Sequence, residues 1–148
     1  MLKKSYNLPK MNLQNYDYAD ALDDYLKRII KKYAPAAIIL FGSLARADYW
    51  HDSDADIIVI LREKKVNHLL KGIELRKVGY DFPLDLFVYG YVQFKNMLDS
   101  GNIVALDALE FGKVTYIGNN RFWEALQRKW SKIRAFWLPT DFGWKKIA

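Results

Sequence analysis

The chain has no cysteine in its 148 residues. That excludes disulfides and thiolate metal sites, and it fits a reducing compartment, the cytoplasm. Histidine is nearly missing as well: His51 and His68 are too few and too far apart for a zinc cluster. Long apolar runs are lacking. The longest are of strand length, so no membrane span is expected. Lys3 and Lys4 are not followed by an apolar stretch, so no signal peptide is expected either. Internal repeats and low-complexity segments are absent.

What is present is an ordinary globular composition, 51% hydrophobic and 27% charged. The length suggests one domain spanning 1–148. A chain of this size buries about 68–70% of its unfolded surface, enough for a real core. Aromatics are frequent at 16%, which calls for large packing faces or a partner surface. The net charge of +6 reads as a basic solvated surface, or as one that attracts phosphates or nucleic acid.

Hydrophobic periodicity predicts the elements. Residues 1–15 are polar without a period and read as a lead-in. Tyr18, Leu22, Tyr25, Leu26, Ile29 and Tyr33 recur at three and four, predicting an amphipathic helix from Asn15 to Tyr33. Lysines and Arg28 crowd its C-terminal end, where cations suit the helix dipole, and Pro35 stops it. Ala37–Phe41 and Ala55–Leu61 are continuous apolar runs, hence buried strands. Helical spacing covers Lys64–Val78, Val92–Leu98, Ile103–Phe111 and Arg121–Trp137; Leu84–Tyr89 and Lys113–Ile117 are further strands. The last ten residues, PTDFGWKKIA, read as a tail. The fold class is α/β (α+β), a small mixed sheet flanked by helices.

The stretch LFGSLARADYWHDSDADIIVIL carries the chemistry. Asp54 and Asp56 bracket the start of the second strand, and side chains two apart on a strand share a face. Carboxylates held this close repel and need a counter-charge, which Mg²⁺ supplies through hard oxygen ligands. Asp85 lies in a similar apolar strand; if that strand pairs with the second, Asp85 joins the cluster. Three carboxylates on neighbouring strands can hold two metal ions about 3.5–4 Å apart, an arrangement suited to in-line nucleotidyl displacement. Gly42-Ser43 reads as a tight turn into a short helix, with Ser43 as its N-cap and backbone N–H groups turned to a phosphate. Arg46, one turn on, is placed to reach a phosphate or brace the carboxylates. Together these describe a nucleoside-triphosphate·Mg²⁺ site. No GxxxxGK[ST] or GxGxxG motif points to another nucleotide fold. Asp48 and Asp52 read as turn and capping residues, and His51 as exposed loop. Trp123, Trp130 and Trp137 read as packing of the last helix, and Arg128, Lys129, Lys132, Arg134, Lys145 and Lys146 mostly as a solvated face.

Gly42-Ser43, ten intervening residues, then Asp54-Ala55-Asp56 resembles the GS-x10-DxD signature of the DNA polymerase beta-like nucleotidyltransferase superfamily, and the surrounding sequence resembles its minimal nucleotidyltransferase (MNT) branch. The Asp85 of PLDLFVY matches that family's third carboxylate. Leu44 stands where a basic residue is common in the family, and Ala47 where a glycine is common. The resemblance implies a catalytic core over about 35–90, followed by a C-terminal helix and tail over about 119–148. It implies Asp54, Asp56 and Asp85 as catalytic and metal-binding residues, Gly42, Ser43 and Arg46 at the nucleotide, Mg²⁺ as cofactor and ATP as substrate. It also implies a role as antitoxin to a small helical HEPN-type toxin, by transfer of AMP to a toxin tyrosine, with homo- and hetero-oligomers both open. Two other readings are a silent antitoxin that neutralises by binding alone, and a basic nucleic-acid-binding module.

Overall fold

The computed structural model describes residues 13–147; most of the polar lead-in lies outside them. The first helix, α1, runs over Ala19–Tyr33, later than the apolar period suggests. Asn15 has a positive φ and Tyr16 to Tyr18 form a turn, so the first tyrosines belong to the approach and not to the helix. Leu22, Tyr25, Leu26 and Ile29 are fully buried. The helix closes with Ala34 in the left-handed conformation, its N–H donating to the Ile30 carbonyl.

Four strands form one mixed sheet. They are β1 (Ala37–Phe41), β2 (Ala55–Leu61), β3 (Leu84–Gly90) and β4 (Lys113–Ile117), in the order β3-β2-β1-β4. β1 is antiparallel to both β2 and β4, whereas β2 and β3 are parallel. A parallel pair needs a crossover, and α3 (His68–Arg76) supplies it. This helix is shorter than the predicted Lys64–Val78. Asn67 starts it by accepting from the backbone N–H groups of Leu69 and Leu70. Only its Leu75 face is buried; Leu69, Leu70 and Ile73 point outward. Tyr25 Oη donates to the Leu75 carbonyl at 2.9 Å and ties α1 to α3.

Both faces of the sheet are covered, which is why β1 and β2 read as unbroken apolar runs. Ile57, Val59 and Leu61, with Ile38, Leu40, Leu86 and Val88, pack against α1 and α3. Ile58 and Ile60, with Ile39 and Phe41, pack against α4 (Tyr91–Asp99), α5 (Ile103–Phe111) and α6 (Asn120–Arg134). Alternation along β2 and β3 puts Asp56 and Asp85 on this second face, at the end of the strands where both are still partly open to solvent.

Two expectations fail. The final helix stops at Arg134, so Trp137 is not part of it, and the tail is not structureless. Trp137–Thr140 and Gly143–Lys146 form an antiparallel hairpin, β5–β6. Trp144 Nε1 donates to Asp107 at 2.7 Å and its ring meets Trp130 edge-on, so the hairpin folds back on α5 and α6. Pro139 and the brevity of both strands hid it. The basic face of α6 is also not all solvated: Lys129 pairs with Asp99 at 2.8 Å and Arg134 with Glu110 at 2.9 Å. Among the described residues no helix is long and apolar enough to cross a membrane.

Leu44, on the one-turn helix α2 (Gly42–Arg46), is 1% exposed and belongs to the core under α1. A basic residue here would be buried without a partner. Leu44→Arg should therefore lower stability by about 3 kcal/mol or more, and should not improve nucleotide binding. Denaturant unfolding of the variant checks the first outcome, and nucleotide titration the second.

Candidate active site

The site begins with strand register. Phe41 pairs with Asp56 across β1 and β2, and Asp56 pairs with Asp85 across β2 and β3. In a parallel pair opposed residues point to the same face, so the two carboxylates meet. Asp54, two residues before Asp56, sits just ahead of β2 and is exposed. The structure thus brings Asp56 and Asp85 together, with Asp54 at their margin.

Gly42 follows Phe41 directly and turns over Asp56. Its φ is +69°, and a Cβ at this position would overlap the Asp56 carboxylate, with Cγ only 2.9 Å away. The glycine is therefore required twice, for a left-handed backbone and for close approach of main chain to carboxylate. Ser43 is not the N-cap. The helix starts at Gly42, Phe41 occupies the cap position, and no side chain caps the first turn. The Ser43 carbonyl instead accepts from Asp48 N–H at 3.2 Å and closes the turn after α2. That turn passes through Ala47 at φ +62°, a conformation that suits the glycine common in related sequences. Arg46 is exposed; its Nε lies 3.4 Å from Asp48, and its charge also acts on Asp56. Asp48 therefore partners Arg46 on the surface, in addition to shaping the turn.

The electrostatics follow from this crowding. Asp56 is half-buried, and its pKa is pushed up to about 6. Desolvation is the largest cause, followed by the hydrogen bond and charge of Asp85 and then the charge of Asp54; Arg46 opposes them. A hydrogen bond between two carboxyl groups requires a proton on one of them, and Asp56, with its raised pKa, carries it.

This donor set suits a divalent cation. All its groups are hard oxygen donors, and a cation would take over the role of that proton. Among the described residues, three acidic or imidazole side chains do not gather into a single ligand group, so the Asp56–Asp85 pair is the nucleus of the site.

One part of the site was not foreseen from sequence. The approach to α1 straps the loop that carries Asp54. Tyr16 Oη donates to the Ser53 carbonyl at 2.7 Å, Tyr49 Oη to the Gln14 carbonyl at 2.7 Å, and Asp17 N–H to the His51 carbonyl at 2.8 Å. His51 Nδ1 lies 2.8 Å from Asp17 Oδ2, and this hydrogen bond raises the imidazole pKa. Tyr16 is only 6% exposed, and burial, then the charge of Asp54, pushes its hydroxyl up to about 12. His51 is exposed, as expected, but anchored. These contacts join residues more than thirty positions apart, so no local pattern announces them; the only signal is the tyrosine-rich stretch NYDY.

The raised pKa has a signed consequence. Between about pH 4 and pH 6 the folded state holds a proton on Asp56 that the unfolded chain has released, so stability in EDTA falls as pH rises through this window. Solvent screening reduces the effect to about 1 kcal/mol. Asp56→Asn should remove this slope and be at least as stable as the wild type at pH 7.5 in EDTA. Urea unfolding across pH 4–8 checks both.

The family described as Polymerase beta, Nucleotidyltransferase matches residues 24–101, just over half of the chain. Two solved structures are similar in shape. One is a candidate nucleotidyltransferase from Sulfolobus solfataricus, at 15% identity and TM-score 0.49, covering 66% of this chain and 78% of its own. The other is a toxin-antitoxin with AMP-PNP, at 18% identity and TM-score 0.43, covering 76% and 93%. No curated protein matches at a significant level. The matched segment contains the Gly42 turn and all three aspartates, and the chain belongs to the polymerase beta nucleotidyltransferase family.

Proposed function

We propose that this protein transfers a nucleoside monophosphate from ATP to a hydroxyl, most suitably a tyrosine of a small helical HEPN-type toxin, and thereby acts as its antitoxin. The observation that supports the transfer best is the contact between Asp56 and Asp85 across parallel strands, with the Gly42 backbone laid against Asp56.

Asp54, Asp56 and Asp85 would hold Mg²⁺, which when bound neutralises charge on the phosphates and on the leaving group. Gly42 and Ser43 seat the triphosphate at the uncapped first turn of α2, and Arg46 stands one turn away. Asp85 is the more exposed member of the pair and is the one an incoming hydroxyl can reach. The hydroxyl gives its proton to this carboxylate, its oxygen bonds the α-phosphorus, the α–β bridging P–O bond breaks, and pyrophosphate leaves. The strap through Tyr16, Tyr49 and His51 keeps the Asp54 loop in place.

The protein acceptor rests on the MNT resemblance. The sheet and its helices occupy most of the described residues, and the acceptor in this reading docks from outside them.

Labelled ATP tests the chemistry. With a co-expressed HEPN partner, the wild type should leave whole AMP units on the partner, seen by mass spectrometry. The double variant Asp54→Ala, Asp56→Ala should fold and transfer nothing. Undiminished incorporation by the folded double variant would refute the assignment. A silenced but unmodified partner would show neutralisation by binding alone.

A further inference from the structure

We propose a second ligand site on this chain: a cationic cleft at the opposite end of the sheet that binds a small phosphate-bearing ligand of nucleoside-monophosphate size. The cleft has a volume of about 400 Å³ and is lined by Arg62, Lys95 and Arg121, with Tyr91, Phe122 and Asn119. Among the described residues no carboxylate lines it. Arg62 follows β2, whose other end carries Asp56; six residues of strand at about 3.3 Å each put the two some 20 Å apart. A ligand here would not overlap the nucleotide seat at Gly42.

Three cations converge on one cavity, and among the described residues none of them pairs with a carboxylate. Six other lysines and arginines of the described residues do pair with carboxylates, as at Lys27–Asp23, Arg28–Asp24, Lys129–Asp99 and Arg134–Glu110; what sets these three apart is that they line one cavity. Like charges gathered without a counter-charge repel, and their combined field attracts an anion. Two of the three are also held in place. Arg62 donates through Nε to the Ala34 carbonyl and through Nη2 to the Gly118 carbonyl, each at 2.7 Å, which bridges two chain corners. Lys95 Nζ sits 5.7 Å from the Tyr91 ring centre and 5.9 Å from that of Phe122. Less side-chain entropy is then lost on binding.

Guanidinium and ammonium donors together are suited to phosphate oxygens. The volume lies within the range of small-ligand pockets, about 300–1,000 Å³. Tyr91 is half-buried and offers an apolar ring beside the cations, a surface for a planar base. The end of α6 adds little, because the Asn119 side chain already accepts from Phe122 N–H. The site rests on its side chains.

Calorimetric titration with AMP in EDTA tests this, since without divalent metal the aspartate site does not contribute. AMP should bind the wild type and the Asp54→Asn, Asp56→Asn variant equally. It should bind the exposed-cleft variant Lys95→Gln, Arg121→Gln about tenfold or more weakly, and inorganic phosphate should compete. Melting curves establish that both variants are folded. Equal affinity in the cleft variant, loss of binding in the aspartate variant, failure of phosphate to compete, or no saturable binding to the wild type would each overturn the proposal.

Discussion

Two carboxylates placed side by side on adjacent parallel strands are the constraint around which the rest of this structure is arranged. Asp56 and Asp85 stand in register, one half-buried and the other more exposed, under the main chain of Gly42. Such a pair weakens a fold unless a proton or a cation lies between its members. The apolar residues that follow, Ile57 to Leu61, lock β2 between two cores, so the pair cannot separate by letting the strand slip. A shift of one residue would turn Asp56 to the other face and put Ala55 or Ile57 in its stead.

The surrounding elements serve this placement. α1 and α3 clamp one face of the sheet, and the Tyr25 hydroxyl joins them. α3 also makes the β2–β3 pairing parallel, which sets Asp85 opposite Asp56. On the other face α4, α5 and α6 fill the core up to Phe41 and stop short of the aspartates. Charge is distributed along the same axis: β2 begins in a carboxylate cluster and ends at the Arg62, Lys95 and Arg121 cleft. A net charge of +6 is thus not spread evenly: one end of the strand is acidic and the other basic.

Much of this was legible in the sequence because it is local. Ala37–Phe41, Ala55–Leu61, Ile103–Phe111 and Lys113–Ile117 have the predicted bounds, since buried strands and a buried helix leave unbroken or periodic apolar runs. The GS-x10-DxD spacing located the turn and two aspartates, and the pairing of β3 with β2 brought in the third. What could not be read depends on distant contacts. The Tyr16–Ser53 and Asp17–His51 links cross more than thirty residues. The β5–β6 hairpin is held by Trp144 against Asp107 and Trp130, not by a strand period of its own. Ser43 has the right residue type for a cap but sits one position too late, because Gly42 already begins the helix. Leu44 departs from the basic residue common in the family because this chain uses the position for its core.

Thermal melting with and without Mg²⁺ and a non-hydrolysable ATP analogue tests most directly whether the carboxylate pair is built for a cation and its nucleotide. Ligands that bind only the folded state add RT ln(1 + [L]/Kd), so a gain of about 1–2 kcal/mol should raise the wild-type midpoint by roughly 4–8 °C over that in EDTA. Asp56→Asn should lose most of that rise. No rise in the wild type, or an equal rise in Asp56→Asn, would contradict it.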